Sequence, residues 1–418
     1  MFQKIKECFK IIPASTYEWM LFSIISYYFS FNAGVLILGK SIYYHVLVSL
    51  LALLFLFTLF RLFLRESVPK MDQPICFLLK CLLFWNVTII IRGILNDMSV
   101  IGLIRMLQYP RDVLYYLTPM IAFLFVSKIR LNIIFKWWLI GILISLLLVF
   151  YFRDVIMVKS LGALNDFSDE SGLSFYNYLA IAGFISASLS GLGFFLICNQ
   201  WKNGLEKIFV YFSVIAAFIP VLFLGRRGAT VSLLLLVSLI YILKLKFKPH
   251  LIALLCIAVI ILYYALLHYL TDIENALPIL FNRLTDDTRT WAVDEFFRDF
   301  RGDVGSYLFG RGSKGMYYSV TYGSRGLIES GYLDLILHGG IISLALTVCI
   351  YFYAAIMGFF YSRNRLINAM ALFLFAQILI LYPSTPINLS IGTFGTWFCV
   401  ACCSNSRLRK SKTFSIYN

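Results

Sequence analysis

Apolar stretches of eighteen residues and more recur along this chain, and nothing else in it limits the fold as tightly. A helix needs about 20 mostly apolar residues to cross the hydrocarbon core of a bilayer. Soluble domains have no use for so many such stretches. Composition agrees, with 61% hydrophobic and 14% charged residues and a mean hydropathy of +0.84, far outside the soluble globular range. The expected fold class is therefore all-α: a polytopic integral membrane protein, one domain over residues 1–418, with no internal repeat and no low-complexity segment.

Apolar windows place about twelve spans, near 17–38, 42–64, 75–95, 111–127, 131–152, 173–198, 208–224, 228–246, 250–270, 331–361, 366–382 and 387–403. The basic N-terminal MFQKIKECFK precedes the first of them, which is too long for a signal peptide and lacks a cleavage site. Segment 96–110, with Asn96, Asp97, Arg105 and Pro110, has the polarity of an interfacial or re-entrant piece. The nine cysteines fall in apolar runs or on short flanks and serve as small packing residues; they form no disulfide framework and no CxxC metal pattern.

Basic residues then orient the chain. Lys4, Lys6 and Lys10 precede the first span, and Arg61, Arg65 and Lys70 follow the second. Further clusters stand at Lys128 and Arg130, Lys202 and Lys207, Lys244 to Lys248, Arg363 and Arg365, and Arg407 to Lys412. Twelve threaded spans put all of these on one side, which predicts cytoplasmic termini. Most of the net charge of +15 serves this anchoring. No basic stripe with stacking aromatics points to nucleic acid.

The same threading puts the long polar segment 271–330 on the outer face, which in a double-membraned bacterium is the periplasm. A loop this long is usually functional or disordered, and its aromatics and short amphipathic runs, such as Trp291 to Phe300, argue for order. Charges at a membrane edge cost a few kcal/mol each and are functional by default. The sharpest of these is Gly225-Arg226-Arg227-Gly228, two adjacent guanidiniums suited to a phosphate or diphosphate; snorkelling to the interface is the bland alternative. In the loop, Arg289 beside Trp291 and the glycine-flanked Arg311 add positive charge. Pairing with Asp286, Asp287, Asp294, Asp299 and Asp303 would instead make the loop arginines a solvated surface. At the loop's end, Glu329 stands where a carboxylate in a partly desolvated cleft can act as general base, or as a helix N-terminal charge. Asp334 and His338, four residues apart, share a helix face, and His338 also suits a buried structural histidine.

These features come in an order that resembles the O-antigen polymerase and O-antigen ligase superfamily of bacterial inner-membrane enzymes. GRRGA at 225–229, TRTW at 288–291, YLFGRG at 307–312 and ESGYLDLILHGGII at 329–342 stand where that family has its span-end arginine, its loop Arg-and-Trp element, its glycine element and its return to the membrane. The topological likeness covers nearly the whole chain and the motifs cover roughly 225–345. The resemblance implies a glycosyltransferase C-like fold with its active site at the periplasmic face. It makes Arg227 and Arg289 ligands of a donor diphosphate and Glu329 the base; Arg226, Arg311, His338 and Tyr332, picked from the residues themselves, are expected as substrate-binding side chains. Glu329 falls where ligases have a loop histidine, a departure that favours polymerase over ligase.

The implied reaction is glycosyl transfer from an undecaprenyl-diphosphate donor. A sugar hydroxyl of a second lipid-linked repeat unit attacks the anomeric carbon and polyprenyl diphosphate leaves. Arginines stabilise the charge that develops on the leaving group, so no metal or other cofactor is expected, although Asp286-Asp287 could hold Mg²⁺. A chain-length-regulating co-polymerase is the expected protein partner. The alternatives are a ligase transferring finished glycan to lipid A core and, from another class, a lipid-linked oligosaccharide flippase, whose short loops would contrast with 271–330.

Overall fold

A computed structural model of the protein describes residues 15–38, 41–65, 71–124, 288–320, 323–328, 330–382 and 388–411, with scattered positions between 137 and 212. Apart from Ile208 and Phe212, the spans expected within 152–270 lie outside the described residues. What is described is a helical bundle with a folded polar cap at one end.

Among the described residues six helices precede the cap: α1 (Thr16–Leu38), α2 (Ile42–Arg65), α3 (Gln73–Asn96), α4 (Val100–Gln108), α5 (Val113–Leu117) and α6 (Met120–Leu124). The cap holds α7 (Thr288–Asp299), α8 (Val304–Phe309) and the strands β1 (Tyr317–Ser319) and β2 (Gly323–Arg325). The chain closes with α9 (Gly331–Phe360), α10 (Arg365–Ile380), α11 (Ile391–Ser404) and α12 (Ser406–Lys410). Starts follow local chemistry. Pro74 sits in the first turn of α3, where a missing N–H costs nothing. Ser99, Asn364 and Ser390 cap α4, α10 and α11 with side-chain oxygens that accept backbone N–H groups, as helix N-termini require.

Among the described residues three helices are long and apolar enough to cross a membrane: Ile42–Leu64, Gln73–Asn96 and Gly331–Phe360. Their outward faces are as apolar as their inward ones. On α2, Val48, Ala52, Phe55, Leu59 and Leu62 are buried, while Val46, Leu50, Leu53, Phe57, Phe60 and Leu64 are exposed, two stripes at helical spacing. On α3, Ile75, Leu79, Leu82, Asn86, Ile89 and Gly93 are buried, and Phe77, Phe84, Val87, Ile91 and Leu95 are exposed. A helix apolar all round belongs in a large core or in lipid, and here the second face is uncovered. The protein is a mostly helical membrane protein.

Two expected spans differ in detail. The region 111–127 is broken into α5 and α6 by a turn at Thr118-Pro119, because a proline removes the N–H that would continue the helix. The last span is the 14-residue α11, every residue of which is buried; it is an interior helix wrapped by α6, α9 and α10. Segment 100–108 forms α4, with Val100, Ile101, Leu103 and Ile104 exposed and Met106 and Gln108 buried. A short helix at the end of a span with an outward apolar face suits the membrane interface.

The helix ends sort into two groups. At one end Asp72 meets Arg409, Met71 bridges Asn405, and Arg363 N–H donates to the Arg409 carbonyl. At the other, Gly331 N–H donates to Leu381, Leu389 N–H donates to Pro110, and Lys314 pairs with Asp97. The basic residues Arg363, Arg365, Arg407 and Lys410 thus share the first end, and the polar cap occupies the second. Among the described residues the hairpin β1–β2, antiparallel with Tyr318 opposite Ser324, is the departure from an all-helical fold.

Candidate functional site at the broken helix

The thirty residues of α9 do not make one continuous helix. Gly340 has φ 68° and ψ −176°, a backbone shape that glycine adopts without steric cost. The break takes carbonyls out of the i→i−4 ladder, and polar partners from elsewhere accept the task of satisfying them. Arg311 N–H donates to the Leu337 carbonyl at 2.8 Å and Gly312 N–H donates to the His338 carbonyl at 2.9 Å. The Trp85 indole N–H donates to the Gly339 carbonyl at 2.8 Å. Irregular backbone at membrane depth is tolerated where protein buries it, and broken membrane helices are common at binding sites of transporters.

The loop that fills the break enters well inside the bundle. Ser313 N–H donates to the Ile89 carbonyl at 3.2 Å, and Ile89 lies about 10 Å below the end of α3 at a rise of about 1.5 Å per residue. Arg92 holds the loop's carbonyls from α3. Its Nη1 donates to Phe309 O at 2.5 Å and to Gly310 O at 2.9 Å, and its guanidinium lies 5.5 Å over the Trp85 ring. Asn96 Nδ2 donates to Arg311 O at 3.1 Å. Lys314 Nζ reaches Asp97 Oδ2 at 2.9 Å and Gly102 O at 3.2 Å, tying the loop to α4. Asp97 is held down to about 2, first by the Ser99 hydroxyl and then by the Lys314 ammonium.

Beside this lock the cap builds its own small core. Phe296, Phe300, Tyr317 and Ile328 pack on Leu333, Ile336 and Leu337 of the part of α9 before Gly340. Phe296 of α7 and Phe300, just past its end, stack at 4.3 Å. Glu295, also buried, accepts from Val320 N–H at 3.0 Å and so joins α7 to the hairpin. The later turns of α7 and the return into α9 therefore belong to one packed unit.

Of the sequence-derived candidates, Arg226, Arg227 and Glu329 lie outside the described residues. Arg289 is the second residue of α7. The other three are placed. Arg311 is engaged within the cap: its guanidinium pairs with Asp299 and Asp303, donates to Met316 O at 2.7 Å and stacks 4.3 Å over Phe300. These bonds give it the architectural job that pairing with loop aspartates foreshadowed. Ser306 holds Asp303 below the ordinary carboxylate range, with Arg311 adding a smaller effect. Tyr332 donates its hydroxyl to the Ile378 carbonyl at 2.6 Å, fixing α9 to α10. His338 is buried, with Nδ1 3.0 Å from Gly312 O and Nε2 3.5 Å from Asp334 Oδ1. With both nitrogens turned to protein atoms, it suits a structural or proton-holding role better than direct contact with a sugar.

The structure also gathers residues that sequence reasoning passed over. Arg92 stands within the apolar run TIIIRGILN, and an arginine inside a span was the available signal. Asp112 and Ser313 are buried near His338, and Asn86 Nδ2 donates to Tyr116 O at 2.8 Å. Only the fold brings 86–92, 112–116, 310–314 and 334–338 together. Among the described residues no three His, Cys, Asp or Glu side chains are grouped to hold a metal ion; Asp286 and Asp287 lie outside them. The described cysteines Cys76, Cys81, Cys349, Cys399, Cys402 and Cys403 are free thiols. No protein-family model matches the chain, and no curated protein is significantly similar to it.

Proposed function

We propose that this protein is a membrane glycosyltransferase of the surface-polysaccharide polymerase type. It joins lipid-linked repeat units on the outer face of a bacterial inner membrane, with polyprenyl diphosphate as leaving group. The observation that carries the reading is the packing of the cap. The first turn of α7, with Arg289, and the return segment beside Glu329 flank one folded unit locked onto a broken membrane helix. Such a unit can present a cation for a leaving diphosphate and a base for an incoming hydroxyl at fixed separation, which is what positional catalysis demands. The gathering of basic residues at the opposite helix ends supports an outward-facing cap, since such clusters mark the cytoplasmic side.

In this scheme Arg227 and Arg289 bind the donor diphosphate, and Glu329 takes the acceptor hydroxyl proton. The bond from the anomeric carbon to the diphosphate oxygen breaks as the new glycosidic bond forms. Twelve spans, a glycosyltransferase C-like architecture and a partner that limits chain length belong to the same proposal.

A second reading is a lipid-linked oligosaccharide transporter. It draws on one observation: buried acidic groups, Asp112 and Asp334, beside a discontinuous helix, as transporters use. Full-length protein reconstituted in nanodiscs with lipid-linked repeat units separates the two. A polymerase yields products lengthened by whole repeats, and Arg227→Ala, Arg289→Ala and Glu329→Gln abolish them at unchanged protein level. Absence of any lengthened product from the wild-type protein would sink the proposal, and normal polymerisation by Glu329→Gln would remove the base assignment alone.

A further inference from the structure

Asp334 is fully buried, and neither of its carboxylate oxygens has a hydrogen-bond donor. His338 Nε2 stands 3.5 Å from Oδ1, at the edge of hydrogen-bonding distance. On the other side of the ring the chemistry is settled by Gly312. A carbonyl oxygen only accepts, so the 3.0 Å contact between Gly312 O and Nδ1 commits a proton to Nδ1. Were Nε2 also bare, its lone pair would face an ionised, water-sealed carboxylate with nothing to stabilise either. One proton between Nε2 and Oδ1 removes both faults.

We propose that Asp334 and His338 form a buried proton-binding site, and that the proton shared by Nε2 and Oδ1 keeps loop residues 310–313 seated on the broken helix. The groups around the pair favour a cation there. Asp112, from the turn before α5, is in electrostatic reach of His338, is buried, and leaves Oδ1 without a donor. Tyr115 and Tyr116 of α5 are in reach of Asp334 and carry no charge when protonated. Among the described residues, Lys314 is held by Asp97 and Arg92 by the Phe309 and Gly310 carbonyls, so neither is aimed at the pair. The ligand is therefore a proton, and its consequence is mechanical. His338 is bonded to Gly312 through its main chain and its side chain alike, so a ring that turns to escape an unprotonated Asp334 takes the loop's anchor with it. The site does not depend on the polymerase reading.

The test uses full-length protein in nanodiscs with ¹⁵N-labelled histidine. The chain has four histidines, and the His338 signals are those lost in His338→Gln. At about pH 7 Nδ1 should be protonated, and Nε2 protonated or strongly hydrogen-bonded. Asp334→Asn should move Nε2 alone to the position of a neutral imidazole. As rising pH removes the shared proton, amide exchange at Arg311 and Gly312, corrected for its intrinsic pH dependence, should quicken about ten-fold or more, with no such step in Asp334→Asn. Should that variant not fold, the coincidence of the two wild-type transitions decides the matter. The proposal is overturned by a bare Nε2 at about pH 7, by exchange at Arg311 and Gly312 that ignores the state of His338, or by His338 signals that move when sodium replaces choline, since the site would then take a metal cation.

Discussion

Gly312 and His338 are bonded to each other twice. The Gly312 N–H donates to the His338 carbonyl at 2.9 Å, and His338 Nδ1 returns a proton to the Gly312 carbonyl at 3.0 Å. The first bond exists because α9 is broken two residues later, and the second because the histidine lies on the face turned to the loop. Together they convert a helix defect into an anchoring point for the polar cap.

Gly340 should tolerate no side chain. Its φ of 68° disfavours any L residue, and a Cβ there would land on the Leu308 carbonyl. Gly340→Ala is expected to lose about 3 kcal/mol or more, combining backbone strain with a steric clash. At Gly302 φ is 87° but the space around it is open, so Gly302→Ala should lose about 1 kcal/mol. Thermal unfolding in detergent, with both variants side by side, separates clash from strain.

Arg92→Lys should weaken the cap although the charge is kept. The guanidinium serves the Phe309 and Gly310 carbonyls through Nη1, the Thr88 carbonyl through Nε and lies flat over Trp85 at once, which the single nitrogen of an ammonium cannot do. The expected loss is about 1–3 kcal/mol. Limited proteolysis between 300 and 320 should speed up, and equal cleavage rates for the two proteins would count against the clamp.

At the opposite end, Arg409 is 5% exposed and meets both oxygens of Asp72, at 2.7 and 3.2 Å. Removing the acid strands a buried cation, so Asp72→Ala should cost about 3 kcal/mol. Arg407 is exposed, and Arg407→Ala should change stability by less than about 0.5 kcal/mol. Chemical or thermal unfolding of the two variants measures the contrast.

The Lys314–Asp97 tie should survive mild acid. A carboxylate held down to about 2 contributes its share above its unfolded value of about 3.9 and loses it as pH falls through about 2. Amide exchange in α4 should therefore show no step between about pH 5 and 8 from this pair. Asp97→Asn should raise exchange in α4 throughout that range, through loss of the Ser99 and Lys314 contacts.

Much of the fold was legible in the sequence because membrane burial writes itself into composition. The apolar runs near 42–64, 75–95, 331–361 and 366–382 closely match α2, α3, α9 and α10, since a bilayer imposes a length that a window can read. The interior helix α11 was harder, for its boundary depends on Ser390 and on neighbours in three dimensions. Pro119 breaks the run 111–127, which the apolar window had read as one span.

The site divides differently. Sequence alone picked out the polar segment, its aromatics, the glycine-flanked Arg311 and the shared face of Asp334 and His338, because local spacing and expensive charges are visible in one dimension. Tertiary structure decided what those groups meet. Arg311 turns to Asp299 and Phe300 instead of an open cleft, Arg92 joins the cap from a helix more than 200 positions earlier, and Gly340, one glycine of a pair, is the one that breaks α9. None of this could be read along the chain. A hydrogen-bonding group is satisfied by whatever the fold brings near it, and those partners come from segments whose separation in sequence carries no signal.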